Sequence, residues 1–206
     1  MRTFKLLFAA CFLLSASLNS NAQNTNFCGS DEAQKLVFDQ YPELFQKYLE
    51  RELEYEKVDK QAAQSNYSSA RSQGVVYIIP VVFHIIHQNG PENISDAKVR
   101  EAISVMNKDF RKLNADTSQT IPLFKPIAAD CEIEFRLAQL DPNGNCTNGI
   151  EHIYSWQTNN GGESAKLNYW NPSRYLNIWV VKKMSAAHLN AAAYSYAPGN
   201  APAGGD

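Results

Sequence analysis

The stretch Val75-Val76-Tyr77-Ile78-Ile79-Pro80-Val81-Val82-Phe83-His84-Ile85-Ile86 decides the fold. It is an almost unbroken run of β-branched and aromatic residues ahead of the turn signal Gln88-Asn89-Gly90-Pro91. Such a run predicts a strand buried on both faces, the kind found at the centre of an α/β sheet. Pro80 has no N–H to give a ladder, so a bulge or a break in pairing is expected there.

Outward toward the C-terminus, Ser95 is placed as the N-cap of a helix, with Asp96 at its positive end. Val99, Ala102, Ile103, Met106 and Phe110 recur at helical spacing as its buried stripe. Glu132-Ile133-Glu134-Phe135-Arg136-Leu137-Ala138 alternates polar and apolar, which predicts a half-buried second strand and hence a right-handed βαβ unit. A turn follows at Asp141-Pro142-Asn143-Gly144-Asn145, and Tyr175 to Val181 is expected as a third strand. A last, weak strand is placed at Ala192-Ala193-Tyr194-Ser195-Tyr196.

Outward toward the N-terminus, Gln61 to Gly74 is a polar linker whose only basic residue is Arg71, so Arg71-Ser72 is the expected activation cleavage. Before it, Ser30 or Asp31 caps a first helix carrying Leu36, Val37 and Phe38, and Pro42 opens a second. Leu44, Phe45, Tyr48, Leu49 and Leu53 form that helix's apolar face, while Glu50, Arg51, Glu52, Glu54, Glu56 and Lys57 are read as solvated. Arg2 and Lys5, the apolar core Leu6 to Leu14 and the small residues Ser20-Asn21-Ala22 read as a cleavable export signal, cut before Gln23. The chain thus divides into a signal (1–22), a helical prosegment with linker (23–74) and an α/β domain (75–206).

The apolar core of the signal is too short to span a bilayer, and no later segment is long enough either. A net charge of -2 gives no reason to expect nucleic acid as a partner. Export permits disulfides, and three cysteines follow the signal. Cys131 and Cys146 flank a strand and a turn and are the natural pair, provided their Cα atoms approach; Cys28 is left over.

The residues carry little overt chemistry. No HExxH, Walker loop, GxSxG or CxxC occurs. His84 and His87 stand three apart on a strand and face opposite ways, so they cannot share one metal and are read as packed or edge histidines. His152 and His188 are placed in exposed loops. Asp130, Glu132 and Glu134 are a carboxylate cluster on the wet side of a strand. Asn66, Asn93 and Asn145 begin glycosylation triplets that matter only in a glycosylating host.

A resemblance goes further. Val81-Val82-Phe83-His84-Ile85-Ile86, Met106 to Thr117 and Phe124 to Asp130 resemble the start of a pappalysin-type (cytophagalysin) metalloprotease domain. Ile133 to Ala138, Asp141 to Gly144, Thr147 to Ile150 and Tyr175 to Val180 continue the resemblance in order. It implies an α/β (α+β) metzincin-like subdomain, a twisted mixed sheet with a backing helix behind a helical prosegment. It also implies zinc-assisted peptide hydrolysis in an exported protein. The family's HExxHxxGxxH helix would follow where these residues end, so the chain is expected to be a piece that is inactive alone. Phe27-Cys28-Gly29-Ser30 is similar to a cysteine switch, which implies Cys28 as the zinc ligand of the latent form. Ala192 to Tyr196 matches the strand bordering the cleft, where a peptide substrate would add antiparallel. The competing reading is a non-catalytic secreted α/β binding module.

Overall fold

The computed structural model describes residues 28–64, 75–188, 191–197 and 199–201. The signal and the Arg71-Ser72 cleavage point lie outside these residues. Two N-terminal helices, α1 (Ser30–Gln40) and α2 (Pro42–Gln64), precede strand β1 (Tyr77–His87). Helix α3 (Asp96–Phe110) and strands β2 (Ile133–Leu137), β3 (Ile150–Tyr154) and β4 (Leu176–Val180) follow, with short 3-10 turns between them. The class is α/β as expected, and all three neighbours of β1 are parallel to it.

A strand has two edges, and the register assigns them. Val81 pairs with both Leu137 of β2 and Leu176 of β4, so these two flank β1 on opposite sides. Phe83 pairs with both Ile150 of β3 and Ile178 of β4, which puts β3 on the same side as β2. β2 and β3 are therefore consecutive segments along one edge, interrupted by an excursion that leaves at Ala138 and returns at Gly149. Ala138 donates to Val81 O at 2.8 Å and Phe83 donates to Gly149 O at 2.9 Å, which marks the splice. Gly149 is required there: its φ is +71°, and a Cβ would lie 2.7 Å from Ala138 N.

Pro80 does not break the strand, contrary to expectation; it stays in register with Arg136. Tyr77 donates to Glu132 O and Phe83 to Gly149 O, so odd residues present their N–H to the β2/β3 edge. Pro80 presents its nitrogen to the other edge, and the β4 ladder begins only at Val81. The missing donor falls where no strand asks for it.

The odd face of β1 packs on α3. Val81, Phe83, Ile85, Val99, Ile103, Phe135 and Ile150 are its buried core, with Met106, Ile178 and Val180 against them. Ala102, expected in the stripe, is exposed. Phe110 keeps 38% of its surface exposed, and its ring meets Phe135 edge-on at 4.8 Å. Asn107 ties α3 to β2: its Oδ1 accepts from Phe135 N at 2.7 Å and its Nδ2 donates to Phe135 O at 2.9 Å. That amide covers backbone groups an edge strand would otherwise leave open.

β3 was not expected, and with it His152 moves from loop to strand. Its ring nitrogens lie 2.6 Å from Asn93 Oδ1 and 3.0 Å from Asp96 Oδ1. Cys131 and Cys146 are free and exposed, so the expected bridge is not formed. Cys131 donates its N–H to Phe110 O at one end of β2, while Cys146 pairs with Leu140 beyond the other. Roughly 16 Å of strand separates them, against the ~7 Å that a disulfide tolerates between Cα atoms.

α1 is broken from α2 at Tyr41-Pro42, with Pro42 at the first helical position as predicted. The expected cap is displaced: Gly29 occupies the N-cap and Ser30 is the first helical residue. The start of α2 packs on α1 through the rings of Phe38, Phe45 and Tyr48. Of the predicted apolar face, Phe45, Leu49 and Leu53 are exposed, and Leu44 and Tyr48 are half-buried.

Candidate functional site

The even face of β1 leads to the site. His84 is fully buried there, stacked on Trp179 with ring centroids 5.0 Å apart. Its Nδ1 lies 2.7 Å from Glu151 Oε2 and its Nε2 lies 3.0 Å from Asn177 Oδ1. Asn177 is oriented by the backbone: Oδ1 accepts from Trp170 N at 2.9 Å and Nδ2 donates to Trp170 O at 2.8 Å. His84 Nε2 must therefore donate to Asn177. Nδ1 faces the Glu151 carboxylate, which completes a row that ties β3, β1 and β4 together.

A groove of about 1300 Å³ is lined by β4, Asn177 and Trp179 included, and by residues Ala191 to Tyr196. β4 pairs with β1, and among the described residues no strand pairs with its other edge. The 191–196 segment is not a regular strand as predicted. Among the described residues it makes one isolated bridge, with Cys28 in the parallel sense, at Ala193. The start of the N-terminal helices therefore lies where a ladder partner would.

The contacts between these stretches are mostly polar. Gly29 donates to Ala193 O at 2.8 Å, and Ser195 donates its N–H to Ser30 Oγ at 2.9 Å. Gly29 is a glycine because a Cβ would sit 2.6 Å from Ala191 Cβ. Ser30 is thus drawn from capping its own helix to serving the segment opposite. Further along, Arg51 Nη2 donates to Asn200 Oδ1 and Gln34 Nε2 donates to Asn200 O at 3.4 Å. Arg51 corrects the reading of its charge run, since it is half-buried and engaged.

Cys28 is exposed, with its Sγ 3.4 Å from Ser30 Oγ. Hydrogen bonding to Ser30, through the hydroxyl first and the backbone second, holds the thiol below its ordinary pKa. Sequence reasoning thus named Cys28 and Ala192 to Tyr196, and the structure brings Cys28 to Ala193. Cys131 and Cys146 lie away from this site. Gly29, Ser30, Arg51 and Asn200 went unnamed as site residues; only the Cys-Gly-Ser order carried any signal for them.

The zinc implied by the resemblance finds little here. Among the described residues no group of three or more His, Cys, Asp or Glu could hold a metal ion. His84 and His152 have both ring nitrogens in hydrogen bonds, and His87 Nδ1 accepts from Asn89 N. The carboxylate cluster is also engaged: Asp130 pairs with Arg111 and Glu134 with Arg136. One thiol does not make a zinc site. No helix among the described residues is long and apolar enough to cross a membrane.

Among solved structures the chain is similar to a promirolysin point mutant from Tannerella forsythia, at 34% identity and a TM-score of 0.52. That match covers 74% of this chain and 49% of the other. Mature mirolysin from Tannerella forsythia in complex with a cleaved peptide, and mirolysin in complex with compound 9, are each 41% identical. Each of these covers 50% of this chain and 42% of the other, with a TM-score of 0.47. The chain spans about half the length of the solved chains it matches. No protein-family model and no curated protein matches it.

Proposed function

We propose that this chain is the N-terminal part of an exported zinc metalloprotease precursor of metzincin type, pappalysin-like in subtype. In this reading residues 1–22 are the export signal, 23–74 an inhibitory prosegment and 75–206 the first part of the catalytic domain. The observation that carries it is the parallel placement of Cys28 to Ser30 along Ala193 to Ser195. The likeness to a solved chain that is itself a pro-form supports it.

A peptide substrate of the whole enzyme adds to the Ala192–Tyr196 edge as an antiparallel strand, held by main-chain hydrogen bonds. The prosegment uses the same backbone groups in the opposite direction, so it blocks the edge without presenting a peptide bond in the productive sense. Cys28, its thiol lowered by Ser30, is suited to ligate the metal of the latent form. The described residues offer that zinc a single thiol, so no step of hydrolysis is assigned to them, and this chain alone is expected to be inactive.

Peptide hydrolysis by the longer precursor tests the reading. The wild type should be silent until cut at Arg71-Ser72, Cys28→Ala should be active uncut, and a chelator should abolish both activities. A cut precursor with no peptidase activity would remove the protease reading. An uncut Cys28→Ala protein as silent as wild type would remove the thiol from the latch.

A further inference from the structure

The segment Ala191 to Tyr196 is attached on two sides. Its backbone is bonded to the N-terminal helices, as described above. Two of its side chains are bonded elsewhere. Tyr194 and Tyr196 both donate their phenol protons to Glu163 Oε1, at 2.9 and 3.0 Å. Glu163 Oε2 is paired with Lys166 Nζ at 3.0 Å, and that ammonium lies 4.8 Å over the Tyr196 ring. It also lies 5.7 Å from the ring centres of Tyr194 and Trp179. Trp179 is anchored in turn by its Nε1 donating to Leu167 O at 2.8 Å and by stacking on buried His84.

We infer that Glu163 and Lys166 form a clasp that positions the peptide-binding edge, holding Tyr194 and Tyr196 to β4 after the N-terminal helices have left. The inference rests on the reading of Ala192 to Tyr196 as that edge. The contacts divide by the direction in which the chain presents its groups. Main-chain atoms of Ala193 and Ser195 face the removable partner, while the phenols at 194 and 196 face a carboxylate that belongs to the same domain. One attachment is lost when the prosegment departs, and the other is not. The clasp is well made for permanence. Each carboxylate oxygen is engaged, and the ammonium has a carboxylate and three aromatic faces. Burial first, and the Glu163 charge second, raise both phenols well above their ordinary range, so both stay donors at any physiological pH. Glu163 and Lys166 are thus positioning residues, acting on a peptide only through the edge they hold.

The test uses the full chain carrying Gly29→Val, whose added side chain collides with Ala191 and undocks the prosegment. Chymotryptic cleavage after residues 194 and 196 is followed by mass spectrometry. Adding Glu163→Ala should speed cleavage by about tenfold or more, and Glu163→Gln, which keeps an oxygen for the phenols, should restore most of the protection. Tyr194→Phe/Tyr196→Phe keeps the rings and the cleavage sites and should match Glu163→Ala, so the test survives misfolding of any one variant. In a second arm, a fluorescent peptide of residues 28–40 is titrated onto the Gly29→Val chain and read by anisotropy. The double Phe variant should bind it about tenfold more weakly. Cleavage rates unchanged by all three clasp variants would overturn the clasp. Clasp-dependent cleavage with no peptide bound by any variant would overturn the edge reading, and with it the role given to the clasp.

Discussion

β1 buries seven consecutive residues, Val81 to His87, whereas the described part of the 191–201 segment buries only Asn200 and Ala201. The strand is held by apolar packing on α3 on one face, and on the other by Val82 against Trp170 and by the polar row of His84. The segment is held by hydrogen bonds to residues about 150 positions or more away in sequence and by the Glu163 contacts. The first arrangement is cooperative and hard to open locally. If the N-terminal helices are the removable segment proposed above, their hydrogen bonds can be released without disturbing the strand, while the Glu163 contacts stay with the domain.

The difference can be broken most severely in the sheet. Ile85→Ala should destabilise the whole domain by about 2–5 kcal/mol in chemical denaturation, since Ile85 is fully buried against α3. A loss under about 1 kcal/mol would mean the core is not where it is described. The polar row should respond next. Glu151→Ala removes the partner of His84 Nδ1 and should cost about 1–3 kcal/mol. Glu151→Gln, whose amide can donate to that nitrogen, should cost clearly less, and equal losses would contradict the proton placement.

At the segment the effects should be smaller and local. Arg51→Ala should leave the denaturation midpoint of the sheet nearly unchanged while costing about 0.5–1.5 kcal/mol in docking of the N-terminal helices, read as faster amide exchange at the start of α1. A matching loss in sheet stability would erase the distinction between the two regions. Smallest in free energy is the thiol. Because Ser30 lowers its pKa, Cys28 should be alkylated faster than Cys131 and Cys146 at neutral pH, with the rate falling as pH drops through the lowered value. Ser30→Ala should shift that midpoint upward, and an unmoved profile would show that Ser30 does not tune it.

The sheet was legible because its residues announce their partners by type. An apolar run, a helical stripe and an alternating run suffice for β1, α3 and β2, and Pro42 marked the helix break. β3 was not legible: Ile150-Glu151-His152-Ile153-Tyr154 sets two polar residues side by side, and both owe their place to remote partners, His84 and Asp96. Pro80 misled because its cost depends on which edge its nitrogen faces, and that is set by register. Arg51 sat in a run of charges whose other members are exposed, and nothing nearby distinguishes the one that meets Asn200. Glu163 and Lys166 lie in a Gly- and Asn-rich loop where their partners, 31 and 33 residues on in the case of Glu163, leave no local trace. Cys131 and Cys146 were paired by proximity in sequence, which a rigid strand between them defeats.

Amide exchange at Ser195 and Gly29 tests the central claim most directly. If Cys28 to Ser30 occupy the edge, both amides exchange far more slowly than in an unstructured peptide, and Gly29→Val releases both together while the amides of β1 stay protected. Ser195 and Gly29 exchanging at the unprotected rate in the unmodified chain, with β1 fully protected, would contradict it.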